Sequence, residues 1–298
     1  MNPLQKQFYQ LLRESYPMMW RGVEEARLVA PELVDRHFER CLGWATHAIG
    51  PGALQKVADG YAFFTMEVNR AQRAYEAAGK YELSSFAEAN RQVYQNSEYM
   101  AQYYWGVFAI LFCWSHYVEL MEFYLARFVR QLPSGRLLEV APGHGAWGII
   151  AVSDRPDLTL EGWDISPASL TIAPLMAAGA GVAERCQYRV GDATHAEPGR
   201  DGFDAAVCSF MLEHLEQPGA FLAQLAGSLN PGARAFVTLA LTAGQRDHIY
   251  EFKRESEAIL MAETGGFDVL ESRMAQPLRL ASNVRYIPRV QALILRKR

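Results

Sequence analysis

Cysteine is scarce in this chain and poorly placed for covalent or metal chemistry. Cys41, Cys113, Cys186 and Cys208 lie far apart, with no CxxC pair among them. That spacing excludes a disulfide framework or a zinc knuckle and reads as reduced core thiols, which sets the expected location as cytoplasmic. Long apolar runs are missing too. The most apolar stretch, Tyr103 to Trp114, is about a dozen residues, short of the ~20 that cross a bilayer, so no membrane association is expected. The opening MNPLQKQFYQ lacks the apolar centre of a signal peptide. No basic block stands out, since 29 Lys and Arg against 33 Asp and Glu leave a formal net charge of −4. A nucleic-acid partner is therefore not expected. A spaced ligand motif such as HExxH is absent, and no metal site is expected.

What is present falls into two regions with different patterning, and 298 residues suffice for a core in each. Residues 1–132 read as all-helical. Leu4, Phe8, Leu11 and Leu12 recur at helical spacing, as do Leu33, His37, Phe38 and Cys41 after Pro31. Pro51-Gly52 breaks the chain, and helices are expected over about 53–78, 85–95, 99–112 and 115–130. Residues 133–298 alternate short strands with helices. Strands are expected at 136–140, 158–163, 186–190, 203–208 and 233–241. Helices are expected after Ser166-Pro167, after Pro218 up to Asn230-Pro231-Gly232, and from Glu255 to Gly265-Gly266. This alternation implies an α/β fold with a parallel sheet covered on both faces. The last two strands, 267–274 and 289–298, have no helix between them and should pair antiparallel at one edge.

The segment Leu137-Leu138-Glu139-Val140-Ala141-Pro142-Gly143-His144-Gly145 carries the chemistry. A strand runs through an acid into a tight loop of small residues at the carboxyl end of the first parallel strand, where open α/β sheets bind ligands. Gly143 and Gly145 allow close backbone approach. His144 is expected to contribute backbone only. Glu139 can orient the loop or hold an ammonium group through water. Asp164 ends the second strand and can accept both hydroxyls of a ribose. Asp192 follows the third, where its carboxylate and the Ala193 N–H can meet an adenine. Gly143 to Gly148 also fits GxGxxG, with Asp164 about 20 residues on, as in a dinucleotide fingerprint. That nicotinamide reading leaves Asp192 without a duty and puts Glu139 awkwardly close to a pyrophosphate.

Glu139 to Gly145, Asp164, Asp192 and Phe203 to His214 together resemble class I S-adenosylmethionine-dependent methyltransferases, in the flavour of the quinone-biosynthesis and small-molecule branch. The resemblance covers about 136–298. It implies a Rossmann-like seven-stranded sheet with an antiparallel last strand, preceded here by the all-α region, and S-adenosyl-L-methionine as cofactor with S-adenosyl-L-homocysteine as product. It implies that Glu139, Ala141, Gly143 and Gly145 line the methionine end, Asp164 and Ile165 the ribose, and Asp192 with Ala193 the adenine. Ser209 and Phe210 would lie beneath the cofactor. Ala141 stands where the family usually has glycine, and alanine is small enough there if φ is negative.

Methyl transfer needs a base only when the acceptor carries a proton of high pKa. The candidates are His214 past the fourth strand, His248 in Asp247-His248-Ile249-Tyr250, and His116 from the helical region. Each also reads as an ordinary structural histidine. His195 follows the Asp192 turn and is expected to be exposed. The aromatic run that includes Tyr103, Tyr104 and Tyr117, joined by Tyr250, suits a helical lid over an aromatic, prenyl or cationic small molecule. Exposed aromatic helices would make a homodimer unsurprising. Alternatives are cofactor-assisted chemistry other than methyl transfer, such as cyclisation, and a non-catalytic S-adenosylmethionine-binding subunit. An NAD-dependent oxidoreductase ranks last.

Overall fold

The computed structural model describes residues 2–167, 169–193, 202–280 and 284–298. His195 lies outside them. The N-terminal half is helical, as expected: α1 Pro3–Ser15, α2 Pro17–Val29, α3 Pro31–Ile49, α4 Ala53–Ala78, α5 Phe86–Ala89, α6 Ser97–Cys113 and α7 Ser115–Phe123. Helix α1 opens on a capping box, with Asn2 and Gln5 exchanging side-chain and backbone hydrogen bonds. Prolines at the first positions of α1, α2 and α3 set their starts. The helices expected at 85–95 and 115–130 are not uniform. The first continues from α5 as a π turn, Asn90–Tyr94, and the second from α7 as a π turn, Tyr124–Phe128, then a 3₁₀ turn, Val129–Gln131.

The second half alternates β1 Gly135–Val140, α8 Ala146–Asp154, β2 Leu158–Asp164, α9 Ser169–Gly179, β3 Cys186–Val190, β4 Phe203–Ser209, α10 Pro218–Gly227, β5 Leu229–Leu241, α11 Glu255–Thr264, β6 Phe267–Ala275 and β7 Arg289–Lys297. The sheet order is β3-β2-β1-β4-β5-β7-β6. Strand β7 runs antiparallel to both β5 and β6, and the remaining ladders are parallel. The edge pairing of the last two strands matches the sequence expectation. One boundary differs. Asn230-Pro231-Gly232 does not end α10, because β5 has already begun with Leu229 beside Phe203, and these residues form an irregularity before pairing resumes at Ala205–Arg234. The Asn230 amide donates to Asp204 and to the Gly202 carbonyl, which holds that bulge.

Strand order reverses between β1 and β4, so the carboxyl ends of these two strands flank a crevice. The helical half closes over it without a separate core. One apolar cluster runs from Phe8, Phe38 and Phe112 through Tyr124 and Phe128 to Leu137, Val207 and Phe236 on the sheet. Helices α10 and α11 cover the opposite face, with Leu222, Leu225 and Ala258 packed on Leu138, Val237 and Leu295. Phe236 is fully buried between Tyr124, Phe128 and Trp147, at centroid distances of 4.8, 5.6 and 5.7 Å. The aromatics of α6 point mostly inward: Tyr104, Trp105, Phe108 and Phe112 are buried. The exposed aromatic face expected of this helix is therefore not seen. Among the described residues no helix is long and apolar enough to cross a membrane.

Polar contacts also bind α4 to the loop after β5. Gln72 accepts from the Gly244 N–H and donates to the Tyr286 carbonyl, and Tyr75 donates to Glu251. Because Phe236 joins the two halves, truncating it removes contacts from both. Phe236→Ala is expected to lower unfolding free energy by about 3–5 kcal/mol in urea denaturation monitored by fluorescence. A loss below about 1 kcal/mol would mean that the helical half does not stabilise the sheet through this ring.

Candidate functional site

The crevice between β1 and β4 opens into a cavity of about 1710 Å³. Its walls include Ala141, Gly143, Asp164, Ile165, Asp192, Ala193, Ser209 and Phe210 from the strand ends, with His214 and His248 beyond them. Tyr103, Tyr104, His116 and Tyr117 complete it from the helical half. Most of the residues singled out in the sequence are thus brought to one place.

The Asp164 carboxylate organises the first part of the wall. Oδ2 accepts from the Gly143 N–H at 3.1 Å and Oδ1 from the Ser166 N–H at 2.8 Å. The tip of β2 is thereby tied to the loop after β1 and to its own continuation. A carboxylate has about four acceptor positions, so beyond these two donors and the neighbouring Ser169 side chain acceptor capacity remains for a ligand. Burial raises the Asp164 pKa, and the two backbone donors oppose that rise. Tyr104, reaching across from α6, donates to Ser166 Oγ at 3.0 Å and lies over Gly143.

The glycine loop departs from expectation at three points. Ala141 has φ +52°, in the left-handed region rather than the negative range that would suit alanine. Its N–H donates to the Trp163 carbonyl at 2.8 Å, which holds it in that conformation. His144 contributes its ring as well as backbone. Nδ1 accepts from the Ala146 N–H at 3.1 Å at the start of α8, and burial lowers its pKa to about 3, so the ring is neutral. Gly145, φ +75°, lies behind the cavity wall, where it caps α8 and allows α8 to meet α9: a Cβ there would stand 3.1 Å from the Ala173 side chain.

Glu139 does not line the cavity either. Its side chain is 1% exposed and turned toward the first turn of α8, where a Cβ on Gly148 would collide with Oε2. The helix start favours negative charge there, but burial dominates and pushes the Glu139 pKa up to about 8. Tyr250 is a further correction. It is outside the cavity and packs on Phe252 at 4.6 Å, while its N–H donates to the Glu213 carbonyl.

Near the end of β4 lies a polar cluster that sequence patterning reached only in part. His214 Nδ1 is 3.1 Å from the Asp247 carbonyl, 3.2 Å from the Tyr94 hydroxyl and 3.6 Å from Asp247 Oδ2. Tyr94 and Tyr103 both donate to Asp247 Oδ2, at 3.2 and 3.3 Å. Burial alone would lower the His214 pKa; the Asp247 and Glu213 carboxylates and the Asp247 and Phe210 carbonyls outweigh it and raise the value. His248 is 2% exposed, stacks edge-on against His214 at 5.0 Å, and has its pKa lowered to about 3 by burial and the neighbouring imidazole. Glu213 is buried, accepts from the Ala240 N–H at 3.2 Å, and has its pKa raised by burial to about 7. His116 sits apart, stacked on Trp114 and made neutral by burial, with a pKa near 3. Tyr94, Glu213 and Asp247 were not singled out in the sequence as functional residues. Glu213 stands in the Leu-Glu-His stretch, and Asp247 adjoins His248; no local signal marks Tyr94.

The burial of Glu139 has a consequence for stability. The folded chain keeps it as the neutral acid up to about pH 8, whereas the unfolded chain ionises it in the ordinary carboxylate range. Its contribution is complete below that range and is lost as pH rises through about 8. The Tm of Glu139→Gln minus that of the wild type should therefore climb as pH is raised from about 5 to 8, at roughly 2 °C per kcal/mol. A difference that stays flat would place Glu139 in water.

Comparison with known proteins agrees with this geometry. Residues 138–235 match the family model described as a methyltransferase domain. No curated protein sequence matches the chain. Among solved structures, an O-methyltransferase candidate from Nostoc punctiforme is similar over 80% of this chain and 72% of its own, with 17% identity and a TM-score of 0.54. A Haemonchus contortus phosphoethanolamine N-methyltransferase, solved with S-adenosylhomocysteine, covers 72% of this chain and 61% of its own at 16% identity and TM-score 0.53. The [4+2]-cyclase SpnF covers 62% and 82% at 17% identity and TM-score 0.50. Residues 138–235 thus match a methyltransferase domain, and the sheet that carries them has the fold of these solved structures.

Proposed function

We propose that the protein transfers a methyl group from S-adenosylmethionine to a small-molecule acceptor enclosed between the sheet and the helical half. The observation that carries this reading is the cavity itself. At about 1710 Å³ it exceeds the roughly 300–1,000 Å³ of ordinary ligand pockets and has room for cofactor and acceptor together.

The residues present fit the cofactor. Asp164 keeps acceptor capacity for a ribose hydroxyl, the Gly143 backbone approaches without a Cβ, and Asp192 with Ala193 stands at the next strand end. When bound, S-adenosylmethionine supplies a methyl group already activated by its sulfonium. The chain's own work is alignment and exclusion of water. Tyr104 covers the glycine loop, and Phe210 stacks on Tyr117 at 4.8 Å. Phe210 is itself held at φ +52° by two hydrogen bonds from its N–H to Thr238.

The acceptor space is walled by Phe64, Val68, Ile110, Leu111, Trp114 and Val290. These surfaces suit an aromatic or prenyl-like body, and the tyrosine faces also suit a cationic group. His214, hydrogen-bonded beside Asp247 and Tyr94, gives that space a polar side and orients the acceptor. His116 and Tyr103 line the same cavity. Specialised biosynthesis, a cytoplasmic location and the division of labour between residues 1–132 and 133–298 belong to this reading.

Calorimetry with S-adenosylhomocysteine tests it. The wild type should bind in the micromolar range or tighter, and Asp164→Ala should weaken binding at least tenfold, because charge-assisted hydrogen bonds contribute roughly 1.5–3 kcal/mol each. Absence of binding, or NADH binding in its place, would refute the proposal. An unchanged affinity in Asp164→Ala would remove that residue from the site.

A further inference from the structure

Glu213, His214 and His248 each offer one ligand atom to a common point, and the three atoms lie within 4.8 Å of one another. Residues 213 and 214 follow β4, whereas His248 arrives from the loop after β5. The fold therefore assembles a cluster that has no ligand spacing in the sequence. All three residues line the cavity.

The hydrogen bonds around Glu213 and His248 leave one ligand atom of each available. Glu213 Oε1 accepts from the Ala240 N–H, while Oε2 is buried and has no hydrogen-bond partner among the described residues. A buried carboxylate oxygen without a donor is costly unless something positive meets it. His248 Nδ1 is 2.8 Å from the Ala243 carbonyl, which accepts only from an N–H. Nδ1 therefore carries the proton, and Nε2 presents a lone pair. His214 has Nδ1 3.1 Å from the Asp247 carbonyl with the Asp247 carboxylate behind it, and the Phe210 carbonyl also lies beside its ring, a contact that an ion would have to displace. A histidine whose outer nitrogen is anchored to a carbonyl or carboxylate is the usual support for a metal-ligating imidazole.

We infer that Glu213, His214 and His248 form a binding site for a divalent first-row transition-metal ion on the wall of the acceptor space. Two imidazoles and one carboxylate favour zinc, manganese or cobalt over magnesium or calcium, which prefer all-oxygen sites. Three protein ligands leave coordination positions facing the cavity, where an oxygen of the acceptor or a water binds. Asp247, held by Tyr94 and Tyr103, positions His214 and does not touch the ion. This proposal departs from the sequence expectation of no metal site, which rested on local motifs alone. It does not depend on which atom is methylated.

The test uses the full chain, stripped with a chelator and dialysed, then titrated with Zn²⁺ against a chromogenic chelator and with Co²⁺ by visible absorption. The expected result is one ion per chain at micromolar Kd or tighter, weakened roughly tenfold or more by Glu213→Gln and by His248→Ala, with far-ultraviolet circular dichroism unchanged. His47→Ala, at an exposed histidine away from the cavity, should bind as the wild type does. Wild-type protein that takes up neither ion below about 100 μM overturns the inference, as do cavity variants that bind like the wild type. Wild-type protein that binds S-adenosylhomocysteine but neither ion refutes this site and leaves the methyltransferase reading standing.

Discussion

Two hydrogen bonds to one carboxylate hold the centre of this molecule. Asp164 accepts from Gly143 and from Ser166, so the loop after β1 and the loop after β2 share a single anchor beside the β1–β4 crevice. A parallel sheet leaves its carboxyl ends open, and the loops there must satisfy backbone groups without filling the crevice. Here Asp164 does so while keeping acceptor capacity toward the cavity. Ala141 tolerates a positive φ because its N–H is bonded to Trp163, directly before that aspartate. Tyr104 reaches the same junction from the helical half through Ser166.

The helical half is more than a cover. Its aromatic residues continue the core of one sheet face, with Phe236 as the common contact, and its polar residues grip the loop after β5. Consequently the cavity is bounded by groups from distant parts of the chain. Tyr94 sits in a π turn, a feature that often marks functional positions, and meets His214 and Asp247 across separations of 120 and 153 residues. The walls of the chamber are therefore set by the same packing that stabilises the fold.

Much of the architecture was legible in the sequence because its causes are local. Alternation of short apolar runs with proline- and glycine-bounded helices located all seven strands. The absence of a helix between the last two runs foretold their antiparallel pairing. Gly143, Asp164, Asp192 and Ala193 could be read as crevice residues because a ligand site at strand ends favours small or acidic residues, whereas Ala141, Ile165, Ser209 and Phe210 came from the family resemblance; all of them line the cavity. Non-local effects were not legible. Nothing in the sequence around Glu139 says whether its carboxylate turns to solvent or under α8, and Gly148 decided that by leaving space. Tyr250 lies two residues past His248 yet faces Phe252. The β5 bulge at Asn230 depends on Asp204 in the neighbouring strand. The grouping of Glu213 with His248 depends on the path of the loop after β5.

The central claim is that the loops at the ends of β1 and β2 grip the adenosyl ligand through the Asp164 junction. Hydrogen–deuterium exchange with and without S-adenosylhomocysteine measures this most directly. The account predicts slowed exchange at the amides of residues 141–145 and 164–166, with little change along β6 and β7. Binding that left those loops unprotected, or protected only the helices of the N-terminal half, would contradict it.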